Sequence, residues 1–493
     1  MPGDDRQAGT RHPAMTAPPE HAVVHETHIG VVFLLGDRAY KLKKPVNLGF
    51  LDFSTVARRR AACHREVELN RRLAPGAYLG VAAVTDGEGD PTDYLVVMRR
   101  MPERRRLATL VEAGEDVTAV IDRIARMIAA FHASADRGPA ISAEGDRDAV
   151  RRRWRDNIEQ VRPLGVLDAG QLAEIEQLTM SFLAGRGPLF ARRLAEQRVV
   201  DGHGDLLADD IFCLDDGPQV LDCLEFDDRL RWLDGLDDIA FLAMDLERLG
   251  APALAHRLLD RYAEFAGDPS PSSLRHHYLA YRAFVRAKVE CLRDCEGSVD
   301  AAHSYAQLAL HHLRAGRPRL VLVGGLPGTG KSTLAGLLAD ELGAVLLSSD
   351  RLRKELAGRS PDEDAASDYL TGIYSPEYSE RTYAELLRRA EELLAEGETV
   401  VLDASWVRAA DRARATAVAT RVRSDLLALR CTAPPELAAQ RLRARHGAVS
   451  DADPRIAAAM SADIDPWPQA GEVSTTGAPQ DTLARARKVL DEG

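Results

Sequence analysis

Cysteine is scarce in this chain, with six among 493 residues: Cys63, Cys213, Cys223, Cys291, Cys295 and Cys431. That density, with no paired CxxC knuckles, excludes a disulfide-stapled scaffold and points to reduced thiols. Cys291 and Cys295 stand four apart on an expected helix, but no second ligand pair lies nearby, so no metal is assigned to them. No uninterrupted apolar run is long enough to cross a bilayer, and no membrane partner is expected. An excess of positive charge is also missing. Against 76 acidic residues there are 64 Lys and Arg, a net charge of −12, which disfavours non-specific nucleic-acid binding. The arginine runs at Arg58–Arg60, Arg104–Arg106 and Arg151–Arg153 are interspersed with acids and read as solvated helical faces. The opening stretch, residues 1–20, lacks the apolar core of a secretion signal and is expected to be a disordered tail, with Met15 an alternative start and the cytoplasm the expected compartment. No internal repeat is present.

What is present divides in two. At 493 residues the chain exceeds one ordinary core, and two domains are expected, 21–315 and 316–493. Ile29 to Lys44 reads as a β-hairpin turning at Gly36-Asp37. Ser54 to Leu73 carries apolar residues at helical spacing and stops at Ala74-Pro75-Gly76. A strand at Tyr94–Met98 precedes a helical stretch from Leu107 to Ala133. Residues 145–198 are helical, Val199 to Phe226 are short strands and turns dense in acids, and 236–315 are again helical. Arg317-Pro318 breaks that pattern. Beyond it strands at Leu320–Val323, Val345–Leu347, Thr399–Leu402 and Leu426–Leu429 alternate with helices, as in a parallel sheet with crossover helices. A closing helix follows a Gly-rich linker.

Gly325-Leu-Pro-Gly328-Thr329-Gly330-Lys331-Ser332 matches GxxxxGK[ST] between an apolar strand and a helix-forming stretch, and with the adjoining Thr333 these residues are expected to bind the nucleotide. The glycines let backbone N–H groups turn toward phosphates and the helix N-terminus adds its dipole. Lys331 is expected to reach the β and γ oxygens of ATP, and Ser332 can ligate magnesium. Downstream, Asp350 and Arg353 form a DxxR pair that resembles the one in polynucleotide kinases, zeta toxins and related small P-loop kinases. That resemblance implies that Asp350 is the general base beside an acceptor hydroxyl and that Arg353 holds acceptor or phosphate. Asp403, ending Val400-Val-Leu-Asp, resembles a second acidic strand whose carboxylate holds magnesium through water. Arg441, Arg443 and Arg445 resemble lid arginines, with Arg441 and Arg445 on one helical face. Alternatively, Asp350 is a helix cap and the lid arginines a solvated surface.

In the first half, Asp201-Gly-His-Gly-Asp205, Leu221-Asp222-Cys-Leu-Glu225-Phe and Asp237-Asp238-Ile-Ala occur in an order that resembles the aminoglycoside phosphotransferase family. The resemblance implies a protein-kinase-like bilobal fold over most of 21–310. It also implies that Asp205 is the catalytic aspartate, that His203 supports its loop and that Asp222 binds magnesium. Glu225 is a second candidate for the metal, and Asp238 is structural. Ala39-Tyr-Lys41 fits the strand whose lysine contacts the α and β phosphates, with Glu66 as its ion-pair partner and Lys43 as an alternative on the same strand face. The resemblance also implies that Met98–Met101 fall where the family's adenine-binding hinge lies. Relatives usually carry Asn five residues after the catalytic Asp, whereas this chain has Asp210, whose oxygen can also bind magnesium. The phosphate-covering loop is poor in glycine.

The fold class expected is therefore α/β and α+β in two domains: a kinase-like N-terminal fold, and a C-terminal three-layer α/β/α P-loop NTPase fold with a parallel sheet. The fusion itself resembles a bacterial bifunctional family. The expected activity is ATP- and Mg2+-dependent phosphorylation of a hydroxyl on a small molecule such as a sugar or aminoglycoside, with ATPase activity a further expectation. Two alternatives stand beside it. In one the P-loop half is the only catalyst and the N-terminal half is regulatory; in the other the C-terminal half is a polynucleotide end kinase. The sequence leaves the acceptor and the oligomeric state open.

Overall fold

A computed structural model of the chain describes residues 23–26, 29–47, 51–293, 297–360, 372–444 and 454–492. The chain divides into two compact units, Met1–Ile124 with His203–Arg231, and Ala125–Gly202 with Trp232–Gly493.

The first unit is built on an antiparallel sheet of β1 (Val23–Glu26), β2 (Gly30–Leu35), β3 (Arg38–Lys43), β4 (Tyr78–Thr85) and β5 (Pro91–Arg99), in the order β1-β2-β3-β5-β4. The expected hairpin is β2–β3, turning at Gly36 with φ 57°, where a residue without Cβ meets no steric cost. The helix Val56–Asn70 starts at Thr55, whose hydroxyl accepts from the Arg58 N–H, satisfying an orphan donor of the first turn. Side chains alternate across a strand, so Ala39, Lys41 and Lys43 share the β3 face that this helix covers. Ala39 packs with Cys63, Val67, Val96 and Met98 in the core between them. Downstream of β6 (Val199–Asp201), a strand of the second unit, lies a hairpin of β7 (Ile211–Leu214) and β8 (Gly217–Val220). It separates the two acidic loops, 205–210 and 221–228.

The second unit contains the helices within 125–202 and 235–315 and the whole C-terminal sheet. The short pair β6 and β9 (Trp232–Asp234) leads into the helix Gly235–Arg248. Arg193, 2% exposed, forks onto Asp234 at 2.6 Å and Asp268 at 2.5 Å, both 3% exposed. The expected single helical stretch from Leu107 breaks into Leu107–Glu112 and Thr118–Ser134, because Gly114 takes φ 71° and ends the first piece.

In the C-terminal part, β10 (Arg319–Gly324), β11 (Val345–Ser348), β12 (Val400–Asp403), β13 (Asp425–Thr432) and β14 (Gly471–Ser474) form one sheet in the order β11-β12-β10-β13-β14. Every pair is parallel. Alternation sorts β10 between two cores. Leu320 and Leu322 face Leu386, Leu394 and Val418 of the helices Pro376–Ala395 and Ala409–Arg421. Val321 and Val323 face Leu334, Leu338 and Leu483 of the helices Lys331–Leu342 and Pro479–Glu492. Each such fully buried aliphatic contributes about 1.5–3 kcal/mol. This is the expected three-layer arrangement, and the sheet-and-helix architecture of the first unit is the kinase-like one. The strand β14 falls where a Gly-rich linker was expected.

Candidate active sites

In the first unit β3 and the helix Val56–Asn70 bring Lys41 and Glu66 together as expected, with Nζ 3.0 Å from Oε1. Lys41 Nζ also stands 2.6 Å from Asp222 Oδ1. The other Glu66 oxygen is 2.7 Å from Lys43 Nζ, which also pairs with Glu225. The alternative lysine is thus part of the same network, two residues along the same face. Burial opposes the charge on Lys41, but the carboxylates of Asp222, Glu66 and Glu225 outweigh it and push its pKa well above the ordinary lysine value. Burial likewise opposes ionised Glu66 and Asp222, and the two lysines overcome it and hold both acids below the usual carboxylate range. Burial, with Glu66 and Asp222 beside it, pushes Glu225 up against the pull of Lys43.

The loops are tied down from several sides. His203 is fully buried. Its Nε2 is 3.1 Å from the Leu221 carbonyl, and its Nδ1 is 3.3 Å from the Asp205 N–H. A carbonyl only accepts, so the proton is on Nε2, leaving Nδ1 to accept from Asp205. One imidazole thereby links the Asp205 loop to the residue before Asp222. Asp222 itself has φ 62°, a left-handed conformation that L-residues seldom adopt, and its N–H donates to the Tyr78 hydroxyl at 3.1 Å. Asp210 lies close enough to Asp222 and Asp205 that burial first, and then their charges, push it well above the usual carboxylate range. Among the described residues no group of three or more His, Cys, Asp or Glu stands arranged to hold a metal ion. The donor set nevertheless fits one: mutually repelling acids gathered at one place are what a divalent cation relieves. Met98 and Arg99 end β5 and Arg100 and Met101 follow it; Met98 is 8% exposed. In the second unit Asp238 is fully buried and its Oδ2 stands 3.0 Å from His132 Nε2. A Cβ on Gly202 would lie 2.5 Å from that same oxygen, so Asp238 packs directly against the Gly202 backbone.

The second centre lies at the C-terminal ends of the parallel strands, where open α/β sheets bind ligands. Gly325, Gly328 and Gly330 have φ of 139°, 81° and 83°. A Cβ on Gly325 would fall 2.7 Å from the Cys431 carbonyl and 2.7 Å from Thr329 Oγ1, and one on Gly328 2.6 Å from the Ala438 carbonyl. The loop is thus a cradle that side chains would fill, closed by Gly330 as N-cap of the helix Lys331–Leu342. That fits a polyphosphate. Lys331 is 7% exposed, while Ser332 and Thr333, in the first turn, are exposed. Asp403 ends β12 in register with Val323 and Ser348, so it adjoins both the phosphate loop and the start of the helix Ser349–Leu356, which carries Asp350.

Arg353 is 6% exposed. Its Nη1 donates to the Ile373 carbonyl at 2.8 Å and Ser379 Oγ at 3.1 Å, and its guanidinium lies over the Tyr374 ring. Arg441 donates to Thr475 Oγ1 at 3.0 Å, the Thr475 carbonyl at 2.7 Å and the Gly328 carbonyl at 3.5 Å, so it binds the loop itself. Arg443 is exposed on the same helix, Pro435–Arg443, and Arg445 lies outside the described residues. Thr475 went unnoticed in the sequence. Its hydroxyl donates to the Thr329 carbonyl at 2.7 Å, joining the end of β14 to the phosphate loop. A cavity of about 380 Å³ lies against Gly328, Gly330, Thr333, Leu334, Arg441 and Thr475. No described helix is long and apolar enough to cross a membrane.

Residues 38–277 match the model of the phosphotransferase enzyme family, and residues 320–466 that of an AAA domain. The chain is 44% identical over 470 residues to protein Rv2004c of Mycobacterium tuberculosis (strain ATCC 25618 / H37Rv), covering 94% of each. The same figures hold for Mb2027c of Mycobacterium bovis (strain ATCC BAA-935 / AF2122/97). Among solved structures, a choline/ethanolamine kinase family protein from Mesorhizobium loti matches at 14% identity and TM-score 0.37, covering 61% of this chain and 94% of that one. A sugar kinase from Janibacter sp. HTCC2649 matches at 19% identity and TM-score 0.28, covering 35% of this chain and 95% of that one. The chain belongs to the family of these mycobacterial proteins and carries a phosphotransferase-enzyme-family domain fused to an AAA-domain P-loop module.

Proposed function

We propose that the chain is an ATP-dependent phosphotransferase with two nucleotide centres, and that the first unit transfers phosphate to a hydroxyl of a small molecule. The observation that carries this reading is the chain of contacts Asp222–Lys41–Glu66. It sets a half-buried lysine, its orienting glutamate and a candidate metal ligand side by side, a grouping that suits phosphoryl transfer.

In this reading Lys41, held by Glu66, binds the α and β phosphates of ATP. Asp205, positioned by its N–H on His203, aligns the acceptor hydroxyl and takes its proton. Asp222 and Asp210 are the residues that would hold magnesium, which when bound neutralises phosphoryl oxygens. In the P-loop module Gly325 to Thr333 cradle phosphates, Lys331 neutralises them, Ser332 and Asp403 are the candidate magnesium ligands and Asp350 is the candidate base. Arg441 acts through the loop, and Arg353 acts by shaping the Ile373–Ser379 wall. The domains proposed are 21–315 and 316–493. Catalytic positioning followed by in-line transfer needs little covalent work from the protein.

Transfer of the γ-phosphate from radiolabelled ATP to a panel of sugars, aminoglycosides and other polyols tests this reading. The wild type should label at least one acceptor in the presence of Mg2+, and Asp205→Ala should lower that rate at least a hundredfold. Equal labelling by both would overturn the assignment. A second reading, in which the first unit binds nucleotide without transferring phosphate, is favoured by the hold that Lys41 has on Asp222. It predicts nucleotide binding by the first unit with no Asp205-dependent product.

A further inference from the structure

Two carboxylates three residues apart, Asp222 and Glu225, meet two lysines two residues apart, and Glu66 joins the pair. Lys41 bridges Asp222 and Glu66, and Lys43 bridges Glu66 and Glu225. The charges alternate along an open chain of four ion pairs: Asp222, Lys41, Glu66, Lys43, Glu225. Lys43 is 2% exposed, Glu66 0% and Glu225 7%, and the Phe53 ring lies 4.9 Å from the Lys43 ammonium. Glu225 thus has one carboxylate oxygen committed to a buried lysine.

The same short segment is gripped from the helix Val56–Asn70 and from β4. Asp222 N–H donates to Tyr78, Cys223 N–H donates to Asn70 Oδ1 at 2.8 Å, and Leu224 N–H donates to the His203 carbonyl at 3.2 Å. Asp222 keeps its left-handed φ of 62°, which persists only where the surroundings over-determine it.

We propose that Glu225, through its ion pair with Lys43, is a positioning residue that locks the 222–225 segment onto β3 and the helix Val56–Asn70 and so aims Asp222. This rests on reading the first unit as the phosphotransferase. It reassigns Glu225 from candidate metal ligand to the far anchor of that segment. Lys43 is the second anchor, and Glu66 serves both lysines with one oxygen each. Removing either anchor leaves the segment on its three backbone hydrogen bonds alone and loosens the aim of Asp222.

The test uses the full chain carrying Lys331→Ala, which removes the P-loop lysine. Glu225→Gln, Lys43→Met and the double variant are compared by amide exchange of a peptide covering 222–224, by kcat and KM for ATP, and by the Mg2+ concentration at half-saturation. Both single variants should speed exchange at these amides at least tenfold and raise KM for ATP at least tenfold. The double variant should be no worse than either, since the two residues act as one pair. Half-saturation by Mg2+ should rise by the same factor, within twofold, in the two single variants, because each loosens Asp222 equally. Should Lys43→Met fail to fold, Lys43→Arg, which keeps the charge, should retain protection beside a deprotected Glu225→Gln. Unchanged exchange in Glu225→Gln overturns the lock. So does a tenfold rise in the Mg2+ requirement for Glu225→Gln that Lys43→Met does not share, which would make Glu225 a cation ligand. Failure of the transferase reading is seen separately, as turnover that Asp205→Ala leaves intact, and the exchange result decides the lock in either case.

Discussion

Replacing Gly328 by alanine probes the phosphate cradle without touching a charge. At φ 81° an L-residue is held in the left-handed region, at about 1–2 kcal/mol. The new Cβ would stand 2.6 Å from the Ala438 carbonyl oxygen, 3.0 Å from its carbon and 3.1 Å from Leu442 Cγ. Two of those three neighbours are backbone, which yields little, so overpacking adds about 1–3 kcal/mol. The sum, roughly 2–5 kcal/mol, divides between lost stability and a displaced loop. Gly336 is the control. It lies within the helix Lys331–Leu342, and a Cβ there meets nothing within 4 Å, so Gly336→Ala should stabilise by about 0.5–1 kcal/mol. Urea denaturation of each variant, with nucleotide titration by calorimetry, reads both quantities. Gly328→Ala should unfold earlier and bind ATP at the P-loop at least tenfold more weakly, and Gly336→Ala should unfold later and bind ATP unchanged. Equal stability and affinity for Gly328→Ala and wild type would refute the packing argument.

Three further outcomes are expected. Burial first, with the Arg153 charge, pushes His277 from 6.5 down to about 3. The unfolded chain therefore takes up a proton below pH 6.5 that the native state refuses, and stability falls as pH drops from 6.5 toward 3, by roughly 5 kcal/mol over the whole range at 1.36 kcal/mol per pH unit. His277→Phe should flatten that slope by one proton in denaturation curves taken between pH 7 and 4, and an unchanged slope counts against it. Arg193→Met strands the buried Asp234 and Asp268 carboxylates and should cost roughly 3–5 kcal/mol, measured by urea denaturation. Arg441→Ala removes the bonds that tie the helix Pro435–Arg443 to Thr475 and Gly328 and should raise KM for ATP at the P-loop several-fold with a smaller change in kcat. An equal fall in kcat with KM unchanged would instead place Arg441 on the transferring phosphate.

The parts legible in the sequence were those where local chemistry and long-range packing agree. Gly325 to Ser332 sits in a strand-loop-helix context that leaves its backbone few options, and β10 and its neighbours carry the apolar runs of strands buried on both faces. Lys41 and Glu66 could be paired because strand and helix periodicity aim both inward. The helix expected across Ser54–Leu73 appears as Val56–Asn70. Contacts across long stretches of chain were harder to see. Lys43 has the same strand parity as Lys41, so spacing could not divide their partners; that depends on Glu225, 182 residues away. β14 carries a single buried apolar residue, Val473, too short a signal against its Gly and Ser neighbours, and Thr475 was missed with it. Arg441 shares a helix face with Arg445 in sequence, yet its guanidinium is taken up by carbonyls that only the folded loop presents.

The central claim is that one chain holds two separate nucleotide centres, and the most direct test counts them. Calorimetric titration with a non-hydrolysable ATP analogue and Mg2+ should give two sites per wild-type chain. One site should remain in Asp222→Ala and one in Lys331→Ala, and the double variant should have none. A single site in the wild type that Lys331→Ala removes and Asp222→Ala leaves untouched would contradict the account.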